Sequence, residues 1–181
     1  MVSLPDLQKY REWNCYPNRN VFVFTDDDGW IDAYAGLAPI AKKYAVPFSF
    51  GIIASRLGAP GFVSAKEVAA LARDPLFSIA SHSVSHSDQD AISEPAERRE
   101  ICESKIILER LTGKPVAAFV YPAGRMSVNS SKILRECGYD LAFTTHYGAP
   151  WKESKTRYDI NRTRVYPETK NAFFEKLADF R

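Results

Sequence analysis

The sequence predicts an α/β domain in which short parallel strands alternate with helices around an open sheet or a barrel. Three observations predict it. Short β-former runs recur along the chain, each followed by a stretch with apolar residues at helical spacing. The first of these runs is almost wholly apolar, as in strands covered on both faces. The residues that carry candidate chemistry (Asp26 to Asp28, His82, Tyr121 to Gly124 and His146) stand directly after the runs, where the carboxyl ends of parallel strands share one rim and active sites form.

The elements follow in order. Val21 to Thr25 reads as the first strand, and Ile31 to Ala45 as a helix with Ile31, Tyr34, Leu37, Ala38, Ala41 and Tyr44 on its apolar face. Phe48 to Ile53 precedes a helix over Ser64 to Ala72, where Ser64 and Glu67 make a capping box. Phe77 to Ala80 precedes a long helix of roughly Pro95 to Leu111, stopped at Gly113. Val116 to Tyr121 is followed by a helix over Asn129 to Cys137, ended by Gly138, and Tyr139 to Thr145 is a fifth strand. Ile160 to Val165 and Asn171 to Phe180 complete a sixth strand and helix, and Gly148 to Arg157 is the long loop. Crossovers this short are right-handed.

A chain of 181 residues fits one domain, residues 1–181, with a single core. Its 24 basic and 22 acidic side chains leave a net charge of +2 with no block of either sign, so no nucleic-acid footprint is expected. No window reaches transmembrane length, and Met1 to Asn20 lacks the unbroken apolar segment of an export signal. A cytoplasmic location is the default unless the chain is processed. Cys15, Cys102 and Cys137 are odd in number and far apart, so free thiols are expected rather than a disulfide framework.

The chemistry concentrates at two places. Asp26, Asp27 and Asp28 are adjacent carboxylates that disfavour one another's charge at the mouth of a buried strand, and a cation resolves that conflict. Successive side chains alternate across a strand, so the three cannot point the same way. Asp28 is the expected metal ligand and Asp27 the general base that takes a proton from water, with Gly29 allowing the turn that follows. A plainer explanation is an acidic turn in which Asp28 or Asp32 caps a helix. His82 and His86, at i and i+4, lie one helical turn apart on one face and can both reach the same ion. Their plainer explanation is a pair of surface histidines in a Ser-rich helix start. Two nitrogens and one carboxylate make a three-ligand site with open positions, the catalytic rather than the structural arrangement.

Taken together, Thr25-Asp26-Asp27-Asp28-Gly29 resembles the Thr-Phe-Asp-Asp-Gly motif of the polysaccharide deacetylases, carbohydrate esterase family four. His82-Ser83-Val84-Ser85-His86 resembles their His-Ser/Thr-x-x-His motif, and Phe119 to Gly124 their third, Pro-containing motif. Gly138 to Thr145 is similar to the next strand of the branch acting on poly-N-acetylglucosamine. The likeness runs from about Val21 to Val165. It implies a distorted or incomplete (β/α) barrel and removal of N-acetyl groups from N-acetylglucosamine-containing poly- or oligosaccharide. It also implies Asp27 as base, Asp28, His82 and His86 as ligands of a divalent metal, and the Ala123 N–H as an oxyanion donor; the nitrogen and oxygen donors favour zinc but also accommodate another transition metal. The partner it implies is carbohydrate, and Trp30, Tyr121, Tyr147 and Trp151 are candidate platforms for sugar rings.

The chain departs from the family pattern at three points. Asp26 replaces a Phe and adds a third carboxylate. Val120 replaces the arginine that pairs with the base, a place Arg162 or Arg164 is positioned to fill; Arg162 resembles the arginine of a late motif in the poly-N-acetylglucosamine branch, and its plainer explanation is a solvated surface residue. The late Leu-x-His motif carrying the general acid is absent, which leaves His146 as the candidate acid. Two other functions fit the same residues: the same chemistry on an ester or non-sugar amide, or an inactive carbohydrate-binding homologue.

Overall fold

The computed structural model describes residues 1–4, 6–7, 9, 22–146, 156–166 and 169–178, with side chains to 176. Five strands form one parallel sheet in the order β1-β2-β3-β4-β5: β1 Phe24–Asp26, β2 Phe48–Ile52, β3 Phe77–Ser81, β4 Ala118–Val120 and β5 Leu141–Phe143. Spatial order equal to chain order means that every crossover turns the same way. The sheet therefore curls into a half-barrel, with the crossover helices on its outer side.

Four helices make those crossovers: α1 Ile31–Lys43, α2 Ala65–Arg73, α3 Glu94–Thr112 and α4 Ser130–Glu136. A further helix, α5 Lys170–Ala178, follows the sheet. The start and stop signals act as the sequence suggests. Ser64 accepts the Glu67 N–H at 3.3 Å while the Glu67 carboxylate accepts the Ser64 N–H at 2.6 Å. Gly113 ends α3 in the left-handed region at φ 67°. None of the helices among the described residues is long and apolar enough to cross a membrane.

Strand parity divides the core in two. Phe50, Ile52, Phe77, Phe119, Tyr121 and Ala142 face outward and pack with Val68, Ile101, Leu108 and Ile133 of the helices. The alternate residues Val23, Ala80, Ala118, Val120, Leu141 and Phe143 face inward, where Leu4, Leu7 and Ile160 close over them. At about 1.5–3 kcal/mol for each large buried apolar side chain, both layers contribute strongly to holding the half-barrel.

Three expectations change. The sixth strand contracts to one bridge, Ile160 beside Phe143. Beyond Ile160 the chain still runs beside the segment that follows β5, the Arg162 N–H donating to the His146 carbonyl at 3.1 Å, but the Arg162 side chain turns into the sheet's carboxyl end. The His82 to His86 segment is not helical: Ser83 and His86 both take left-handed backbone, at φ 65° and 66°. Finally, Cys102 and Cys137 are not free thiols but joined as a disulfide, because α3 and the end of α4 pack with their Cα atoms 5.3 Å apart. Sequence separation carried no information about that packing. Cys15, Val21 and Phe180 lie outside the described residues, as does most of the expected long loop.

Candidate active site

The site grows from the parity of β1. Thr25 and Asp27 lie on the same face and both meet Arg162. The guanidinium grips Asp27 with two parallel bonds, Nη1 to Oδ1 at 2.8 Å and Nη2 to Oδ2 at 2.7 Å. It is itself held by the Thr25 hydroxyl oxygen at 2.8 Å and by the Thr144 carbonyl, which accepts from Nε at 3.0 Å. A planar fork suits this two-point grip better than an ammonium would. Burial pushes the Asp27 carboxyl up, but the bonds and charge of Arg162 outweigh it and hold the group below the usual carboxylate range. Arg164, the other candidate for this place, is exposed and points its guanidinium toward the Tyr166 hydroxyl at 3.5 Å.

Asp28 leaves the strand through two consecutive left-handed residues, Asp28 at φ 73° and Gly29 at φ 79°. A Cβ on Gly29 would stand 3.1 Å from Ile52 Cδ1, so the turn favours glycine on both counts. The turn brings Asp28 Oδ1 to 3.2 Å from His82 Nε2 and 3.3 Å from His86 Nε2. These ligand atoms lie within 4.8 Å of one another. Asp28 Oδ2 accepts from the Trp30 indole N–H at 3.1 Å. The hydrogen bond with His82 lowers the Asp28 carboxyl more than burial raises it.

His82 shows why the donor set suits a cation. Its ring is buried, and Nδ1 lies 2.8 Å from the Val120 carbonyl oxygen. A carbonyl can only accept, so Nδ1 carries the hydrogen, and in neutral histidine Nε2 is then a bare lone pair. That lone pair faces a carboxylate oxygen. Two acceptors in contact require a positive charge between them, either a proton or a metal ion. Nitrogen and oxygen donors with an outer carbonyl orienting one imidazole fit zinc and similar divalent metals.

Asp26 is not part of this group. Parity turns it to the opposite face, where its Oδ2 is buried without a hydrogen-bond partner among the described residues. Burial first, and then the charges of Asp27 and Asp28, push its carboxyl up to about 6.

The Tyr121 to Gly124 segment is a tight turn after β4. Ala123 is exposed and left-handed at φ 52°. Gly124, at φ 73°, packs so closely on Thr145 that an added Cβ would stand 2.5 Å from the Thr145 backbone nitrogen. Tyr121 is fully buried and donates to the Tyr158 carbonyl at 3.0 Å, so it offers no face to a sugar. Trp30 does: it is 48% exposed and stacks on Phe62 at 4.3 Å between centroids. Tyr147 and Trp151 lie outside the described residues. His146 is exposed on the same rim, and its ring is not one of the three grouped ligand candidates.

Two contributors were not singled out from sequence. Thr25 shares the face of Asp27, so strand alternation was a usable signal for it. The Val120 carbonyl had no signal, since every residue carries the same group.

Known proteins resemble this chain in sequence and in fold. Residues 16–142 match the family model described as polysaccharide deacetylase. A Bacillus subtilis (strain 168) protein, YxkH, provisionally named as a polysaccharide deacetylase, is 25% identical over 87% of this chain and 56% of its own length. A Staphylococcus epidermidis poly-beta-1,6-N-acetyl-D-glucosamine N-deacetylase is 25% identical over 79% of this chain and 54% of its own. The chain thus spans about half the length of the curated relatives it matches. The fold is that of the Streptococcus pyogenes deacetylase PplD, solved in complex with acetate, with a TM-score of 0.90, 24% identity, and 99% of this chain and 79% of that one covered. With the family model matched over most of its length, the chain belongs to the polysaccharide deacetylase family.

Proposed function

We propose that the chain is a metal-dependent hydrolase that removes N-acetyl groups from N-acetylglucosamine-containing poly- or oligosaccharide. One observation carries the proposal: a carboxylate clamped by Arg162 stands next in sequence to the carboxylate that meets two imidazole nitrogens. A divalent metal held by Asp28, His82 and His86, most simply zinc, would polarise the acetyl carbonyl and make a water easier to deprotonate. Asp27 takes that water's proton. Both of its oxygens receive a bond from Arg162, yet each keeps a second lone pair, and the charge that a base needs is maintained. The Ala123 N–H, in an exposed turn fixed by the contact of Gly124 with Thr145, donates to the oxyanion as the carbonyl becomes tetrahedral. His146, on the same rim, protonates the departing sugar nitrogen. Trp30 offers its ring to the apolar face of a pyranose.

The sugar class is supported by the name of the Staphylococcus epidermidis relative and by the exposed indole beside Asp28. The test is acetate release from N-acetylglucosamine oligomers, with and without zinc or cobalt, set against acetyl esters. Wild type should release acetate only with metal. Asp27→Asn should lose about 10²-fold or more of that activity while still taking up metal, and His146→Ala should lower kcat. Turnover of esters but not oligomers would defeat the substrate assignment. Oligosaccharide binding without acetate release in metal-replete protein would defeat the enzyme itself.

A further inference from the structure

We propose that Glu100 is a positioning residue for His86: its carboxylate holds the backbone of the Ser83 to Ser85 turn and so keeps the second imidazole on the metal side. The inference rests on the metal-site assignment above. His82 needs no such help, because its ring is buried and its Nδ1 is tied to the Val120 carbonyl. His86 differs. Its side chain is 39% exposed, and among the described residues no protein group ties down its Nδ1. Apart from its edge-to-face contact with the His82 ring, 4.8 Å between centroids, and its approach to Asp28, the placing of its Nε2 rests on its backbone.

That backbone is sterically disfavoured, with left-handed conformations at both Ser83 and His86. Such a turn persists only where its surroundings hold it. From the β2 side, the Ala54 and Ser55 N–H groups donate to the Ser83 and Val84 carbonyls at 3.1 and 2.9 Å. Within the turn, the His86 N–H donates to Ser83 Oγ at 2.9 Å. On the other side the amides of Val84 and Ser85 both turn to Glu100 on α3, donating to Oε2 at 2.9 and 2.8 Å. The Ser85 hydroxyl donates to Oε1 at 2.7 Å. Two successive N–H groups converging on one oxygen form a small anion-binding concavity, and here the anion is a side chain from a helix. The helix that packs on the sheet thus also sets the distance of His86 from Asp28.

Two measurements separate this from a merely structural role. In the metal-free protein, hydrogen exchange of the Val84 and Ser85 amides reads the clamp directly. Zinc affinity, by competition with a chromophoric chelator, reads its consequence. Glu100→Ala should speed exchange at those amides and weaken zinc binding about 10- to 100-fold, the usual range for an outer group that orients a ligand. Glu100→Asp keeps the charge but falls short of the turn, and should show the same losses should the alanine variant fold poorly. Glu100→Gln, whose carbonyl oxygen can still accept both amides, should recover most of the affinity. In a His86→Ala background Glu100→Ala should cost nothing more, because the effect runs through that imidazole. Unchanged exchange, unchanged affinity, or an equal loss in the His86→Ala background would overturn the inference. Failure of the metal assignment looks different: wild type itself would take up no zinc, and the positioning role would fall with it.

Discussion

Asp27 lies where burial would raise its carboxyl pKa, and Arg162 reverses the balance. The consequence for pH follows from the sign. A carboxylate held below its ordinary value stays charged to lower pH, so its base form, and the stability its ion pair contributes, persist above the unfolded carboxyl value of 3.8 and are lost as pH falls through the lower folded value. Arg162→Met removes the lowering influence and leaves burial uncompensated. The acid limb of the kcat/KM profile should therefore move to higher pH, and an unmoved limb would separate Asp27 from the base role. At this scale the site was partly legible. Asp28, His82 and His86 announced themselves by residue type and spacing, whereas the partner of Asp27 did not. Arg162 and Arg164 are two apart and share strand parity, so only the late-motif resemblance favoured Arg162; its place beside the end of β5, with Nε on the Thr144 carbonyl, is what brings it rather than Arg164 to Asp27.

At the scale of elements, the ends of β4 and β5 meet through Gly124. An added methyl there enters the Thr145 backbone, and the left-handed φ adds strain of its own. Gly58 is an internal comparison: it has a similar φ of +76° but nothing within 4 Å of its would-be Cβ. Gly58→Ala should cost about 1 kcal/mol from backbone strain alone, and Gly124→Ala about 1–3 kcal/mol more from overpacking. Denaturant midpoints with a common m-value measure the difference. Equal losses would show that Thr145 yields freely. Deacetylation should also fall in Gly124→Ala, since the Ala123 N–H moves with the turn. Helix caps were readable because a capping box is local chemistry. The His82 to His86 turn was misjudged because i, i+4 spacing has a helical explanation, while the turn here is held by Ala54 and Ser55, just after β2, on one side and by Glu100 on the other.

At the scale of the whole molecule, the disulfide ties α3 to the end of α4 behind the sheet across a sequence separation of 35. A crosslink of that span contributes about 2–4 kcal/mol, largely by restricting the unfolded chain. Cys102→Ser with Cys137→Ser should lower the thermal midpoint, and the unreduced, denatured wild type should titrate one free thiol, that of Cys15; three free thiols would refute the bond. The half-barrel itself was legible in the sequence. Alternating strand and helix runs, with chemistry-bearing residues at the strand ends, determined a parallel architecture, because periodicity and burial are encoded locally. What only the tertiary structure decided were the relations among residues far apart in the chain. It placed Arg162 on Asp27, turned Asp26 away, buried Tyr121, left Trp30 exposed and joined two cysteines. Each of these depends on which face of which element meets another, and that is settled by packing rather than by any run of neighbouring residues.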